Sequence, residues 1–231
     1  MRGGVILAGA LCCLLSQQAL SESYQFKQVV RGLSSTDSSA IPSQAEREKA
    51  WLDYAKSQNQ SLPIDWNDVT FRYTTDPLPE IPYPLENPSG SVVFMDARGS
   101  LLGLRGIKTV GNLLQVRVYD ADDFSGLSSL TRIGGNAYFH ASSVLKSTNG
   151  LQNLEYVGTS VHLYSNDKLV DLSGLSGLKH VGYRVYLPPD IHQREGFVPI
   201  PKDTFLCSSE GRAVFPSDSS HYALQSEVCE S

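Results

Sequence analysis

A nine-residue motif, Gly-Leu-x-x-Leu/Ile-x-x-Val/Ile-Gly, occurs four times in this chain, at Gly103 to Gly111, Gly126 to Gly134, Gly150 to Gly158 and Gly174 to Gly182. The starts at Gly103, Gly126, Gly150 and Gly174 are 23, 24 and 24 residues apart. A fixed period of this length marks a chain that stacks one small unit on the next. A single unit cannot bury its own apolar face, and each unit contacts only its neighbours. Such a stack is a scaffold for a binding face, so the period constrains the fold far more than the activity.

Each repeat follows one plan. After the Val/Ile-Gly of the motif come two or three polar residues and then an alternating stretch that reads as a short strand: Leu114 and Val116, Ala137 and Phe139, Val161 and Leu163, Val185 and Leu187, preceded by Val92 and Phe94 as a degenerate first unit. Side chains alternate across a strand, so these residues are expected to face the core and their neighbours to face out. Asn166-Asp167, and Ser142-Ser143 in the equivalent place, turn the chain, and Leu145, Leu169 and Leu172 re-enter the core. The motif glycines suit corners where φ is positive or where two units approach closely.

The run from Val157 to Leu175, Val-Gly-Thr-Ser-Val-His-Leu-Tyr-Ser-Asn-Asp-Lys-Leu-Val-Asp-Leu-Ser-Gly-Leu, resembles the repeat of the receptor L domain. That domain is the leucine-rich-like right-handed β-helix of insulin-receptor and EGF-receptor relatives and of many secreted or surface bacterial proteins. The likeness covers about 100 residues, roughly Ser89 to Pro188. It implies a mainly β chain: a right-handed β-solenoid of about four to five rungs, with an N-terminal helical cap and a C-terminal cap. In that family the domain offers a ligand- or partner-binding sheet and no catalytic residues. The chain lacks the receptors' Cys-rich modules, kinase and transmembrane segment, which points to a stand-alone exported protein, with a bacterial source expected.

Export is also expected from the N-terminus. Arg2 supplies the positive start, Val5 to Leu15 is a short apolar run, and Ala19-Leu20-Ser21 is a small-x-small cleavage site, so residues 1–21 read as a signal peptide and the mature chain starts near Glu22. The apolar run is too short for a membrane anchor, which needs roughly 20 residues. Leu11 before Cys12 argues against a lipoprotein, and the run after Gly4 lacks the glutamate of a type IV prepilin. Cleavage removes Cys12 and Cys13 and leaves Cys207 and Cys229, for which one disulfide is expected in an oxidising compartment. The protein is thus expected to be secreted, periplasmic or on the cell surface. No second apolar stretch crosses a membrane. The net charge of −5, or −6 without Arg2, and the absence of a Lys/Arg cluster argue against a nucleic-acid partner.

Four segments follow: the signal peptide at 1–21, an N-terminal region at 22–88, the solenoid at 89–190 and a C-terminal cap at 191–231. Glu22 to Ala40 is polar and Ser-rich, either a flexible lead-in or a strand that docks later, with disorder expected over Ser34 to Ser39. Ser43 and Glu46 make a capping box for a helix ending near Ser57, whose apolar side carries Trp51 and Ala55 with Ala45 and Leu52 close by. This helix either shields the open end of the stack or binds a partner. Leu62 to Pro88 holds Pro63, Pro77, Pro79, Pro82, Pro84 and Pro88, a density that excludes helix and central strand and leaves an extended connector. A polyproline ligand for a partner domain is the alternative. Pro188, Pro189, Pro199 and Pro201 end the ladder, leaving Phe197, Phe205, Leu206, Val214 and Phe215 to cover the last unit.

The outward phase gives two columns, Val93, Gln115, Tyr138, His162 and Tyr186, and beside it Met95, Arg117, His140, Tyr164 and Pro188. Tyr and His in such rows are suited to recognition, and Tyr138, His140, His162, Tyr164, Tyr186 and Arg117 are the candidate binding face. The same rows also serve as a cross-strand ladder, or as a surface buried beneath the Pro-rich segment. His140 and His162 lack a third ligand for zinc, and Asp120, Asp122 and Asp123 read as a solvated turn ahead of a calcium site. No cofactor, metal or catalytic residue is expected, since no nucleophile elbow, phosphate loop or dinucleotide fingerprint occurs. The expected function is a secreted, non-enzymatic binding or adhesion module for a protein or glycan at the sheet face. The alternatives are a structural or assembly component of a surface appendage and an enzyme of unknown class.

Overall fold

The computed structural model describes residues 43–57, 62, 64–72, 85–97, 101–118, 121–139, 143–217 and 220–230. The signal peptide, the Ser-rich lead-in, most prolines of the 62–88 stretch and His140 therefore lie outside the described residues.

The molecule is mainly β, with two parallel sheets that the chain visits in alternation. The larger has six strands, in the order β1 (Val69–Arg72), β2 (Val92–Ala97), β4 (Leu114–Val118), β6 (Ala137–Phe139), β8 (Ser160–His162) and β10 (Arg184–Tyr186). The smaller has four two-residue strands, β3 (Thr109–Val110), β5 (Arg132–Ile133), β7 (Tyr156–Val157) and β9 (His180–Val181). Each strand pairs with the equivalent strand one repeat away, as in Val116↔Phe139, Val161↔Val185 and Val157↔Val181. Parallel pairing demands a connection of a dozen or more residues between partners, and the repeat length supplies one.

The period reappears as rows of like contacts. The expected inward residues are buried on every strand of the larger sheet, from Val92 and Phe94 through Val161 and Leu163 to Val185 and Leu187. The motif supplies the opposite wall: Leu151, Leu154 and Val157 in one repeat and Leu175, Leu178 and Val181 in the next are buried in the same continuous core. Each such side chain contributes roughly 1.5–3 kcal/mol of apolar burial. The glycine closing each motif turns the corner between the sheets. A methyl group on Gly134 would overlap the carbonyl oxygen of Gly111, and one on Gly158 that of Gly134, so backbone passes backbone too closely for any side chain. The Asn166 turn carries its side chain inward. Its Nδ2 donates to the carbonyls of Phe139 at 2.7 Å and Leu163 at 2.8 Å, satisfying buried acceptors from two repeats.

Both ends are covered. Helix α1 (Gln44–Ser57) starts with the expected capping box: the Ser43 hydroxyl donates to the Glu46 carboxylate at 2.8 Å and the Ser43 amide at 2.7 Å, and these bonds, the hydroxyl's first, hold that carboxyl below its ordinary pKa. Its buried stripe is Trp51, Tyr54 and Ala55, whereas the expected flanking positions differ, with Ala45 exposed and Leu52 half-buried. The Trp51 ring meets Phe71 at 5.5 Å and Phe94 at 6.2 Å, which fixes the helix over the β1 end of the larger sheet. The parallel sheet begins inside the stretch expected to be a connector: β1, the edge strand, alternates Val69 and Phe71 inward, and no proline falls within it.

At the other end Leu206, Val214 and Phe215 are buried, and Phe197 and Phe205 pack against the core half-buried. The Cys207–Cys229 disulfide joins Cα atoms 5.6 Å apart and closes this segment. Pairing does not stop at Pro188: isolated parallel bridges link Ser147 to Asp171, Asp171 to Val198 and Ile200 to Cys229, so the C-terminal segment continues the stacking along a third line. No helix among the described residues is long and apolar enough to cross a membrane.

Candidate functional site

The outward residues of the larger sheet form a continuous stack of rings. Register places Tyr138 opposite His162 and His162 opposite Tyr186. The rings respond by stacking, Tyr138 on His162 with centroids 4.0 Å apart and planes 13° apart, and His162 on Tyr186 at 4.8 Å and 24°. All three are half-buried. Tyr164 stands edge-on to His162 at 5.9 Å, and Arg117 is half-buried at the end of β4 on the same face. One end of each expected column is covered, since Val93 and Pro188 are buried.

The stack has one member that the repeat does not announce. Tyr222, from the C-terminal segment, lies 4.7 Å from Tyr186 and 5.8 Å edge-on to Tyr164, taking the position that a further strand would fill. It is anchored through Ala223, whose amide donates to the Leu187 carbonyl at 3.3 Å. Because Tyr222 falls outside the 24-residue phase, no spacing argument selects it.

The geometry decides what this face offers. Both flat sides of His162 are occupied, one by Tyr138 and the other by Tyr186, and Tyr222 packs on the outer side of Tyr186. What the column presents to solvent is ring edges and phenolic hydroxyls, which suits hydrogen bonding and edge contacts better than face-on stacking of a ligand ring. Burial, and secondarily the neighbouring phenols of Tyr183 and Tyr222, raise the Tyr186 hydroxyl above its ordinary value despite the nearby Arg184, so it is a neutral donor at neutral pH.

Beside the column the C-terminal segment closes a cleft of about 450 Å³, lined by Tyr164, Tyr222, Asp167, Asp190, Arg194 and His221 among others. Arg194 is fixed from three sides, donating to the carbonyls of Asn166 and Leu169, each at 2.8 Å, and to the Asp190 carboxylate at 2.8 Å. That bond, the main influence, lowers the Asp190 pKa. A carboxylate held below its ordinary pKa is the reverse of what a general acid needs near neutral pH.

A second column, unmarked at the level of sequence, lies on the smaller sheet. The Arg132 guanidinium sits 3.6 Å from the centroid of the Tyr156 ring, whose other neighbour is His180, stacked at 4.5 Å with planes 8° apart. These residues occupy the position before the last apolar residue of each motif, a signal visible in the spacing once two-residue strands are allowed.

The acidic turn is accounted for by backbone geometry. Asp123 accepts from the Ser125 amide at 2.9 Å, as Ser147 does from Asn149 and Asp171 from Ser173, so one turn-closing acceptor recurs in three successive repeats. No group of three or more His, Cys, Asp or Glu side chains among the described residues could hold a metal ion. Compared with family models, with curated proteins and with solved structures, the chain gives no match. The receptor L-domain resemblance accordingly rests on the repeat itself.

Proposed function

We propose that this protein is an exported, non-enzymatic binding module, a right-handed solenoid of the receptor L-domain kind that recognises a protein or glycan through the outer face of its six-stranded sheet. The observation that carries the reading is the half-exposed run Tyr138, His162, Tyr186 and Tyr222, to which the last ring is contributed by a segment outside the repeat. Structure alone does not require that addition, because an apolar aliphatic side chain would shield Tyr186 equally well. The flanking Tyr164 and Arg117 extend the face sideways, and the Cys207–Cys229 disulfide supports an extracellular setting.

The test is capture. The Tyr138→Ser, His162→Ser, Tyr186→Ser triple variant is expected to stay folded by circular dichroism and to lose capture of surface proteins and oligosaccharides retained by the native chain. A folded triple variant with native capture would move the binding site off this face.

A further inference from the structure

The C-terminal segment builds two clefts against the end of the larger sheet, and their charges are opposite. The first holds Asp167 and Asp190 beside an Arg194 that is already paired. The second, of about 460 Å³, is lined by Arg184, Arg212, Phe215, Ser217, Gln225 and Ser226 among others, and no carboxylate among the described residues lines it or pairs with either arginine. Asp218, next to Ser217 in the sequence, lies outside the described residues. Two arginines line one concave site in a chain of net charge −5.

This wall is fixed before any ligand arrives. One arm of the Arg184 guanidinium donates to the Ala213 carbonyl, and its Cζ lies 5.2 Å from the Tyr183 ring centroid. Gln225 secures the opposite wall by donating to the carbonyls of Leu206 at 2.6 Å and Ser208 at 2.8 Å. Arg212 is exposed on the short 3-10 turn Gly211–Val214, where a charged side chain is not needed for packing. A held guanidinium loses little freedom when it binds an oxyanion, and its fork matches a carboxylate or sulfate better than a point charge does. Arg184 also stands two residues before Tyr186, and with Val185 facing inward between them both face outward from β10. The arginine cleft therefore opens beside the aromatic column.

We infer that this cleft receives the carboxylate or sulfate group of an acidic saccharide, with the Ser217 and Ser226 hydroxyls available to its ring hydroxyls and the rest of the sugar chain running along the aromatic column. The inference rests on the proposed reading of the sheet face and names the ligand class within it. The mixture of two arginines, hydroxyls and phenolic edges matches a substituted sugar, whose anion and hydroxyls lie within one or two ring widths of each other.

Calorimetric titration of the purified protein tests this with a heparin-derived octasaccharide, its desulfated form, which keeps the uronate carboxylates, a neutral glucose oligomer and polyglutamate. The octasaccharide is expected to bind, more weakly as salt is raised from about 0.05 to about 0.5 M, and the glucose oligomer is expected not to compete. Arg212→Ala and Arg184→Gln, each checked for an unchanged melting profile, should weaken binding at least about tenfold, while Arg184→Lys, which keeps the charge and loses the fork, should fall between. Retention of affinity by the desulfated form assigns a carboxylate, and its loss assigns a sulfate; both support the cleft. Equal binding of the neutral oligomer, native affinity in Arg212→Ala, or displacement of the saccharide by polyglutamate at equal affinity overturns the assignment. If the octasaccharide fails to bind while the column triple variant still loses capture, this inference falls and the sheet-face reading stands. If the arginine variants lose the saccharide and the column variant keeps it, the course along the column is overturned together with the sheet-face reading, and only anion binding in the cleft survives.

Discussion

The two parallel sheets carry outward columns built from similar residues, and they differ in how each column ends. On the larger sheet Tyr138, His162 and Tyr186 are half-buried and a ring from outside the repeat, Tyr222, closes the stack. On the smaller sheet the stack runs Arg132, Tyr156, His180, with its two outer members exposed. Both stacks follow from one cause, a period that sets equivalent residues about 5 Å apart on neighbouring parallel strands. Stacking of Tyr and His is therefore not by itself a sign of a binding site. What distinguishes the larger sheet is the C-terminal segment, which adds a ring and two clefts of opposite charge at that column's end.

The largest expected effect separates core from columns. Leu163→Asp places a charge where the side chain is fully buried and removes roughly 1.5–3 kcal/mol of apolar burial as well, so the repeat core should unfold and both columns should vanish together in calorimetry. A native melting temperature would break the shared-core picture.

Reduction of the Cys207–Cys229 disulfide comes next, at about 3 kcal/mol for a loop of 22 residues. It should act on one column only: hydrogen exchange should rise around Tyr222 and β10, with β5 and β7 unchanged. Uniform loss of protection would mean that the C-terminal segment and the repeats melt as one unit.

Smaller still are the central rings. His162→Ala and Tyr156→Ala each remove two stacking partners and should each destabilise by about 1–2 kcal/mol in denaturant titrations. The comparison predicts equal costs in stability and unequal costs in binding. The smallest effect belongs to Asp171. Burial tends to raise its pKa, but the bonds from Ser173 and Ser147 outweigh that, and the net shift is downward. A depressed folded-state pKa stabilises above the ordinary value near 3.9 and loses that contribution as pH falls through the folded-state value. Stability curves of the native chain and Asp171→Asn should therefore begin to approach each other as pH falls below about 3.9 and meet only below the depressed folded-state value.

The inward positions, the capping box and the disulfide were legible because each depends on local spacing or on elimination. β1 was hidden because the prolines of the surrounding sequence mask the short alternation of Val69 and Phe71, although none falls within the strand itself. The smaller sheet was hidden because two residues are too few to display a period, although Val110, Ile133, Val157 and Val181 were already marked as motif positions. Most of the larger sheet's aromatic column could be read from the outward phase. Tyr222 and the arginine cleft could not, since both arise where a non-repeating segment folds back onto the last strand, a contact between distant parts of the chain that no local pattern encodes.

The most direct test of the account sets the two columns against each other in one capture experiment, using arrayed oligosaccharides and surface-protein ectodomains. The native chain is compared with Tyr138→Ser, His162→Ser, Tyr186→Ser and with Arg132→Ser, Tyr156→Ser, His180→Ser, all three matched for folding by circular dichroism. The account predicts that the first triple variant loses the ligands the native chain captures, by about 2 kcal/mol or more, and that the second keeps them. Retention by the first and loss by the second would contradict it and assign recognition to the smaller sheet.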